Sequence, residues 1–500
     1  MNCLRNPLGL PIGSNIAATH TCSPSFTQWF VCIFTSQSES LTVKPYYMSS
    51  FDNTTVLQGK RILFASMPAE GHVHPLTGLA KQLQESGCDV RWYTGASYQP
   101  KMDKLGIPLF PFKNAIDITA DTINEFFPER NRINGQVKKL VFDMINYFIR
   151  QAPKFIDDLT VIRKNFPFDL VIAECTFTAI PLIKKVFGVP VIGVGIVPLI
   201  ETSRDLPPMG LGMTPSYTWA GRIKQQFLRF FTNRVLFRKA NLATYKILDS
   251  FNVEHNRSNI FDIAVKSSDL FLQSGTPGFE YRRSDMGKNV RFIGSLLPYS
   301  EAKRNSSWFD ARVSQYEKVV LLTQGTVETD VEKLLVPTLE AFRDTDVLVV
   351  CTTGGSQTEE LRQRFPQRNI IIEDFIPFDS VMPYTNVYIT NGGYGGVMLG
   401  IENKLPMVVA GVHEGKNEIC ARIGYFKIGI NLKTEKPTAA QIKKAAEKVL
   451  TDAVYKTNVE ELSKEFSRYN PGELCARYAA AILTRPVDSK PSVIVCDVAA

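Results

Sequence analysis

The sequence lacks several features that would place it in a special class. No apolar run in its 500 residues approaches the ~20 residues of a transmembrane helix, so we predict no membrane span. No run of five or six like charges occurs, and 57 basic residues against 49 acidic ones are thinly spread, which argues against nucleic-acid binding. The nine cysteines match no zinc or CxxC spacing. This composition predicts a folded protein of a reducing, cytoplasmic compartment.

Residues 1–47 differ from the rest of the chain. They hold three cysteines, few charges and no sustained period of 2 or 3.6, and their short apolar stretch at 26–34 lacks the cleavage site of a signal peptide. We expect an irregular, disordered extension that is either a dispensable tail or a start-site artefact, with Met48 as a more natural start. We also expect a flexible tail at 486–500.

From Gly59 onward, short apolar runs alternate with helical segments. The runs KRILFASM, FDLVIAE and VPVIGVGIV are typical of strands buried on both faces of a parallel sheet. A second series, from KVVLLTQGT to KIGINL, follows FIGSLLP, and the end of the chain is helical. The pattern predicts an α/β fold of two doubly wound, Rossmann-like domains, 55–290 and 291–485, that face each other across a cleft, with C-terminal helices in the second.

A histidine-bearing segment, EGHVHP at 70–75, follows the first strand. A strand-to-helix connection of an α/β domain faces the ligand crevice, and a helix N-terminus disfavours the imidazolium, so His72 is a candidate general base. Glu174 ends a later strand and is a candidate to orient that ring, although a solvated acid is an equal alternative. A metal site of His72 and His74 lacks a third ligand near in sequence.

Glycines cluster after a strand of the second series, in TNGGYGG at 390–396. Glycine lets backbone N–H groups approach an anion closely, and the dipole of the following helix adds to the attraction. TQGT at 323–326 offers a further hydroxyl and amide cluster. Both turns are therefore candidate phosphate-binding elements.

The segment 221–240 is basic and aromatic and contains no acid. It predicts one or two basic amphipathic helices, for which an ordinary solvated face is the plainer interpretation and contact with a membrane surface the alternative. The segments 111–150 and 200–237 are rich in apolar residues and suggest a pocket for a lipophilic molecule.

Four motifs together resemble one family. GHVHP, FIGSLLP, LLTQGT and DFIPFDSVMPYTNVYITNGGYGG resemble, in order and spacing, motifs of the GT-B-fold glycosyltransferases of the macrolide and UDP-glycosyltransferase type, over about residues 58–483. The resemblance implies inverting transfer of a hexose from a nucleoside-diphosphate sugar, most often a UDP-sugar, to a hydroxyl of a small lipophilic acceptor. It implies no metal and no cofactor, since the nucleotide sugar is a co-substrate.

The resemblance also assigns residues. His72 would deprotonate the acceptor hydroxyl and Glu174 would orient it, while Phe375 would stack on the nucleotide base. The positions that would contact the donor phosphates are Gly325, Thr326, Asn391, Gly392, Gly393, Gly395 and Gly396.

Some positions depart from the family pattern. Asn391 replaces a histidine that donates to phosphate, Gly396 replaces a serine, and Leu399 replaces a glutamate that binds ribose. Glu402 is a candidate substitute for that glutamate, and Glu414 with Lys416 for the sugar-binding pair. These changes leave open a non-catalytic nucleotide-sugar or lipophilic-ligand binder, or an epimerase or hydrolase of nucleotide sugars, on the same fold.

Overall fold

The structure, a computed structural model, describes residues 53–119, 122–299, 308–325, 328–413 and 415–484. The segments predicted to be tails, 1–47 and 486–500, lie outside the described residues. All described residues belong to one compact unit, residues 51–500.

The N-terminal sheet has seven parallel strands in the order β3-β2-β1-β4-β5-β6-β7. Their bounds are β1 Arg61–Ala65, β2 Asp89–Thr94, β3 Leu109–Pro111, β4 Leu170–Glu174, β5 Val191–Gly195, β6 Leu270–Gln273 and β7 Val290–Phe292. Strands β1, β4 and β5 are almost entirely buried, which explains their continuous apolar sequences. The short strands β3, β6 and β7 carry too few residues for a clear sequence signal.

The C-terminal sheet has six parallel strands in the order β10-β9-β8-β11-β12-β13. Their bounds are β8 Lys318–Thr323, β9 Val347–Thr352, β10 Ile370–Glu373, β11 Val387–Thr390, β12 Met407–Val409 and β13 Gly429–Asn431. Each apolar run of the second sequence series forms one of these strands. The predicted α/β class with two doubly wound sheets is confirmed.

Helices cover both faces of the two sheets. Those of the N-terminal half are α1 Asn53–Leu57, α2 Glu70–Glu85, α3 Gln99–Leu105, α4 Ile123–Phe126, α5 Gln136–Asp143, α6 Ala152–Asn165, α7 Ile180–Phe187, α8 Trp219–Phe231, α9 Arg238–Ser250 and α10 Ile260–Ser267. The later ones are α11 Leu335–Phe342, α12 Thr358–Arg364, α13 Phe378–Val381, α14 Tyr394–Glu402, α15 Lys416–Tyr425, α16 Ala439–Thr451, α17 Ala453–Phe466 and α18 Pro471–Leu483. None of the helices in the described ranges is long and apolar enough to cross a bilayer.

Helix α2, which follows β1, begins earlier than its sequence pattern indicates. The pattern places the helix after Pro75, but the structure starts it at Glu70, with the N–H groups of His72 and Val73 both bonded to the carbonyl of Ala69. Pro75 lacks an N–H, so the helix passes through it with one hydrogen bond fewer. His72 consequently lies in the first turn of α2 rather than in a loop.

The last helix, α18, packs on the N-terminal half. Its buried residues, among them Leu474, Tyr478 and Ile482, belong to the same apolar cluster as α2 and β1. The sequence boundary at 290/291 assigned this helix to the second domain because sequence order alone places it there. Its apolar face instead completes the core against the first sheet.

Candidate active site

The order of the N-terminal sheet reverses between β1 and β4, which are adjacent parallel strands. At such a switch point the connections that leave the carboxyl ends of the two strands diverge and open a crevice. His72 follows β1 and Glu174 is the last residue of β4. The fold therefore brings these two side chains together although 102 positions separate them in the sequence numbering.

The His72 ring is held at one nitrogen. Its Nδ1 lies 3.2 Å from Glu174 Oε1 and 3.1 Å from Thr176 Oγ1. The Thr176 hydroxyl donates to Glu174 Oε1 at 2.7 Å, so its hydrogen is already used and its lone pairs face the ring. Both neighbours of Nδ1 are thus acceptors. This arrangement favours the tautomer with hydrogen on Nδ1 and a lone pair on Nε2.

Glu174 is fully buried and ionised. It accepts the backbone N–H groups of Met67 at 3.3 Å and Thr176 at 2.6 Å. Burial by itself would raise the pKa of Glu174, but the His72 ring and the hydrogen bonds from Thr176 outweigh burial and hold that pKa below its usual value. A carboxylate in this state is a fixed negative partner for the ring, and the interpretation of Glu174 as a solvated acid is wrong.

The second histidine of the segment has a different partner. His74 Nε2 lies 2.5 Å from Glu70 Oε2, one helical turn away, and Glu70 also accepts from the Tyr98 hydroxyl at 3.3 Å. In the described ranges no three His, Cys, Asp or Glu side chains come together as a metal site would require. His72 and His74 therefore gain no third ligand from the described fold.

The C-terminal sheet has its own switch point, between β8 and β11. The two glycine-bearing turns leave the carboxyl ends of these adjacent strands, where Thr323 pairs with Thr390. Gly325 and Gly392 have φ of 78° and 81°, and a Cβ on Gly392 would come within 2.4 Å of Cys420 Sγ. The turn after β11 consequently requires glycine at 392.

Asn391 joins the two turns. Its Nδ2 donates to the backbone carbonyl of Gln324, and its Oδ1 accepts the N–H of Gly393 at 3.3 Å. The contact of this amide with a donor phosphate stays a prediction, because the bond to Gln324 uses one of its two amide hydrogens. The amide also connects the two loops, because the strands that carry them are neighbours.

Gly393 caps α14, and the first N–H groups of a helix have no acceptor within it. A Cβ on Gly395 would meet no other group within 4 Å, so this residue faces open space. Gly396 is more enclosed, with the Tyr388 hydroxyl 3.1 Å from its hypothetical Cβ. The first turn of α14 thus presents helix N-terminal N–H groups, with open space at Gly395.

Phe375 is an exposed aromatic residue at the same edge of the sheet. It follows β10, and 67% of its surface is accessible. A Cβ on Gly355, in the loop after β9, would lie 3.8 Å from the Phe375 ring. One side of the ring therefore rests on a glycine loop while much of the rest remains open.

The remaining predicted donor positions are scattered. Lys416 opens α15, whereas Glu402 ends α14, about 12 Å along the helix axis from the glycine turn. The structure does not bring Glu402 to the turn, because one helical turn beyond Leu399 leads away from the N-terminus. Leu399 is partly buried among apolar residues. Thr326 and Glu414 lie outside the described residues.

The carboxyl edges of the two sheets face each other. Tyr394, the first residue of α14, donates its hydroxyl to the carbonyl of Ser274, which follows β6, at 2.9 Å. The His72 pair and the glycine turn thus lie on opposing edges. Sequence reasoning missed both Tyr394 and Thr176; for Thr176 the available signal was a hydroxyl two residues beyond the acid that ends a strand.

Two parallel, doubly wound sheets whose carboxyl edges oppose each other define the GT-B class of transferases. The family described as erythromycin biosynthesis protein CIII-like, C-terminal domain, matches residues 337–480. The 4'-demethylrebeccamycin synthase of Lentzea aerocolonigenes is 31% identical over 410 residues, which cover 82% of this chain and 96% of that protein. UDP-glycosyltransferase 2 of Phaeomoniella chlamydospora is 29% identical over 426 residues, 81% of this chain and 92% of that protein.

The solved structure of the kitacinnamycin glycotransferase superposes with a TM-score of 0.66 at 17% identity, over 85% of this chain and 100% of that one, and supports the fold. The chain belongs to the family 1 glycosyltransferases, as the sequence motifs predicted. It is an enzyme of the UDP-glycosyltransferase, hexosyltransferase type. The individual site residues stay predictions.

Proposed function

We propose that this enzyme transfers a hexose from a UDP-sugar, with inversion and without a metal or other cofactor, to a hydroxyl of a small lipophilic acceptor. His72 Nε2 takes the proton of the acceptor hydroxyl as its oxygen attacks the anomeric carbon. The bond from that carbon to the UDP oxygen breaks, and UDP leaves as the anion. The observation that carries the proposal is the engagement of His72 Nδ1 by Glu174 and Thr176 at the switch point of the N-terminal sheet.

This geometry supports a base because two acceptors at Nδ1 orient the ring and stabilise the positive charge that it gains. The Glu174 carboxylate accepts hydrogen bonds from Met67 and Thr176, and these bonds fix its position beside the ring. The His72 side chain is 24% exposed while Glu174 is fully buried, which leaves part of the ring accessible to a substrate.

On the donor side, the leaving diphosphate would be stabilised by the N–H groups of the first turn of α14 and by the helix dipole. Gly325, Gly392, Gly393 and Gly395 would keep that approach open, with Gly396 beside them. Thr326 stays a candidate phosphate contact from the family resemblance alone. Phe375 would stack on the uracil. Lys416 would contact the sugar or its phosphates. Amide hydrogens supply this stabilisation without a divalent ion.

The acceptor would lie against the segment 111–150. Asp158 orders the start of this segment by accepting the N–H groups of Lys113 and Asn114 at 3.0 and 2.9 Å. Thr178, four residues beyond Glu174, donates its hydroxyl to the carbonyl of Phe148 at 2.7 Å, which supports a position of the segment near the end of β4. Its apolar residues would favour a lipophilic alcohol or phenol.

A nucleotide-sugar binder without turnover is the second candidate. One observation in its favour is that Asn391, at the position of a phosphate-binding histidine, donates one amide hydrogen to the carbonyl of Gln324. Another is that Leu399 packs among apolar residues where the family pattern has a ribose-binding glutamate. An epimerase or hydrolase differs from both because it would consume the donor without an acceptor.

Calorimetric titration of the full chain with UDP, dTDP and GDP, each with and without EDTA, tests the donor site. We expect UDP to bind with the same affinity in EDTA. Product analysis with UDP-glucose and a panel of phenols then separates the candidates: glycoside formed only with an acceptor supports transfer, UDP release without acceptor indicates a hydrolase, and binding without turnover indicates a binder. Absence of nucleotide binding would refute the donor assignment.

Replacing Phe375 with Ala is expected to raise the Kd for UDP about 5- to 150-fold, because stacking of a base on an aromatic ring contributes ~1–3 kcal/mol. Phe309→Ala is the matched control, since Phe309 is 60% exposed in the same half of the chain. Equal effects of the two substitutions in the UDP titration would contradict the stacking role.

A further inference from the structure

Helix α8 exposes an apolar face to solvent. Four of its residues, which we name the α8 stripe, are Trp219, Ile223, Phe227 and Phe230, with 78%, 58%, 63% and 62% of their surfaces accessible. At 100° per residue they fall within about 80° of one another around the helix axis. A surface helix of a globular protein normally turns such a face toward the core.

The opposite face of α8 is polar and buried. Gln225 is 2% exposed; its Oε1 accepts the N–H of Ser216 at 2.6 Å and its Nε2 donates to the carbonyl of Asp205 at 3.0 Å. Arg229, one turn later, donates to the carbonyl of Leu206. These bonds fix the rotation of the helix, because turning the stripe inward would leave buried polar groups without partners.

The charge around the stripe has a single sign. No acidic residue occurs from 206 to 248, and Arg222 and Lys224 flank the stripe on its two sides. The exposed cations of α8 and of the residues that directly follow it are Arg222, Lys224, Arg234, Arg238 and Lys239. The acids that precede and face it are engaged elsewhere: Asp205 accepts from Ser284, and Asp285 from Ser203 and Arg204.

We propose that the α8 stripe docks the enzyme on an anionic membrane surface. The four apolar side chains would enter the region between headgroups and acyl chains, and the flanking cations would contact lipid phosphates. A second copy of this chain fits the surface less well, because a two-fold interface would place the cations of one copy against those of the other. The proposal does not depend on the transferase mechanism.

Co-sedimentation of the full chain with vesicles tests it. We expect binding to vesicles of phosphatidylcholine with phosphatidylserine at low salt, and at least about tenfold weaker binding to pure phosphatidylcholine or at high salt. The double variant Phe227→Ser, Phe230→Ser should reduce the bound fraction about tenfold or more, and so should Lys224→Glu with Arg234→Glu. Phe126→Ser is the matched control, since Phe126 is also exposed, at 51%, on α4.

Each variant should bind UDP with unchanged affinity, because the proposed donor site lies in the other half of the chain. Unchanged affinity then shows that the substitutions have not unfolded the protein as a whole. Equal binding to both vesicle types, or binding insensitive to both double variants, would overturn the proposal. So would concentration-dependent self-association in light scattering that the phenylalanine variant abolishes. If the α8 stripe belongs to the acceptor pocket, the phenylalanine variant should raise KM for a soluble acceptor, and the wild type should not bind vesicles. That result would also contradict membrane docking.

Discussion

His72→Ala is expected to lower kcat by about 10²- to 10⁴-fold, the range that a positioned general base contributes, while leaving the Kd for UDP nearly unchanged. The two effects separate because His72 lies on the N-terminal sheet edge and the glycine turn on the C-terminal one. The measurement is release of UDP from UDP-glucose with an acceptor that the wild type uses, alongside calorimetric titration with UDP.

His74→Ala is the matched control for this prediction. His74 lies two residues away in the same helical turn, but it pairs with Glu70 rather than with the buried carboxylate. We expect it to retain most of the wild-type kcat. Equal losses for both histidines, or a parallel loss of UDP affinity in His72→Ala, would contradict the role of His72 as base.

Thr176 and Glu174 should act through the ring. Thr176→Val removes one acceptor at Nδ1 and one donor to Glu174, and Glu174→Gln removes the negative charge that faces the ring. Both should lower kcat more than they raise KM, because a misoriented or unsupported base weakens the transition state rather than donor binding.

The second large effect concerns a buried ionic cluster that connects the two halves of the chain. Arg422 of α15 is 2% exposed and donates to Glu280, which follows β6, at 2.6 Å, and to Glu418 at 3.3 Å. Glu418 also accepts the N–H groups of Gly210 and Gly212 at 2.9 and 2.8 Å. The cluster therefore joins α15 to two loops of the N-terminal half.

Arg422→Met is expected to lower the free energy of unfolding by about 3–5 kcal/mol, because it removes the buried cation that Glu280 and Glu418 share and leaves Glu280 with Arg283 alone. Arg364→Met is the matched control. Arg364 likewise contacts two glutamates, Glu332 at 2.5 Å and Glu340 at 3.3 Å, but these side chains are about half exposed, so the loss should be about 0–1 kcal/mol. Urea unfolding of both variants is the measurement, and equal losses would contradict the role of the cluster.

The effect of Arg422→Met should depend on pH. Burial would raise the pKa of Glu280, but the charges of Arg422 and Arg283 outweigh burial and lower it. A carboxyl whose folded pKa is lowered stabilises the protein above its unfolded pKa of about 4.3 and loses that contribution as the pH falls through the folded value. The difference between wild type and variant should therefore be largest at neutral pH and shrink in acid.

The sequence by itself determined the features that are local in the chain. Continuous apolar runs identify the strands because a strand buried on both faces is built mainly of apolar residues. Turns rich in glycine after a strand identify backbone that can approach an anion closely. The two motifs around His72 and Asn391, and with them the family, followed from such local patterns. The sequence pattern also suggested Glu402 as a substitute at Leu399, but Glu402 ends α14, about 12 Å along the helix axis from the glycine turn.

Only the tertiary structure decided which distant residues meet. Parallel pairing of β1 with β4 brings Glu174 and Thr176 to His72, and pairing of β8 with β11 turns the Asn391 amide toward Gln324. The packing of α18 on the first sheet and the outward apolar face of α8 likewise depend on which surfaces remain uncovered. The physical reason is that strand order and helix rotation are set by long-range packing and buried hydrogen bonds, which no short stretch of sequence contains.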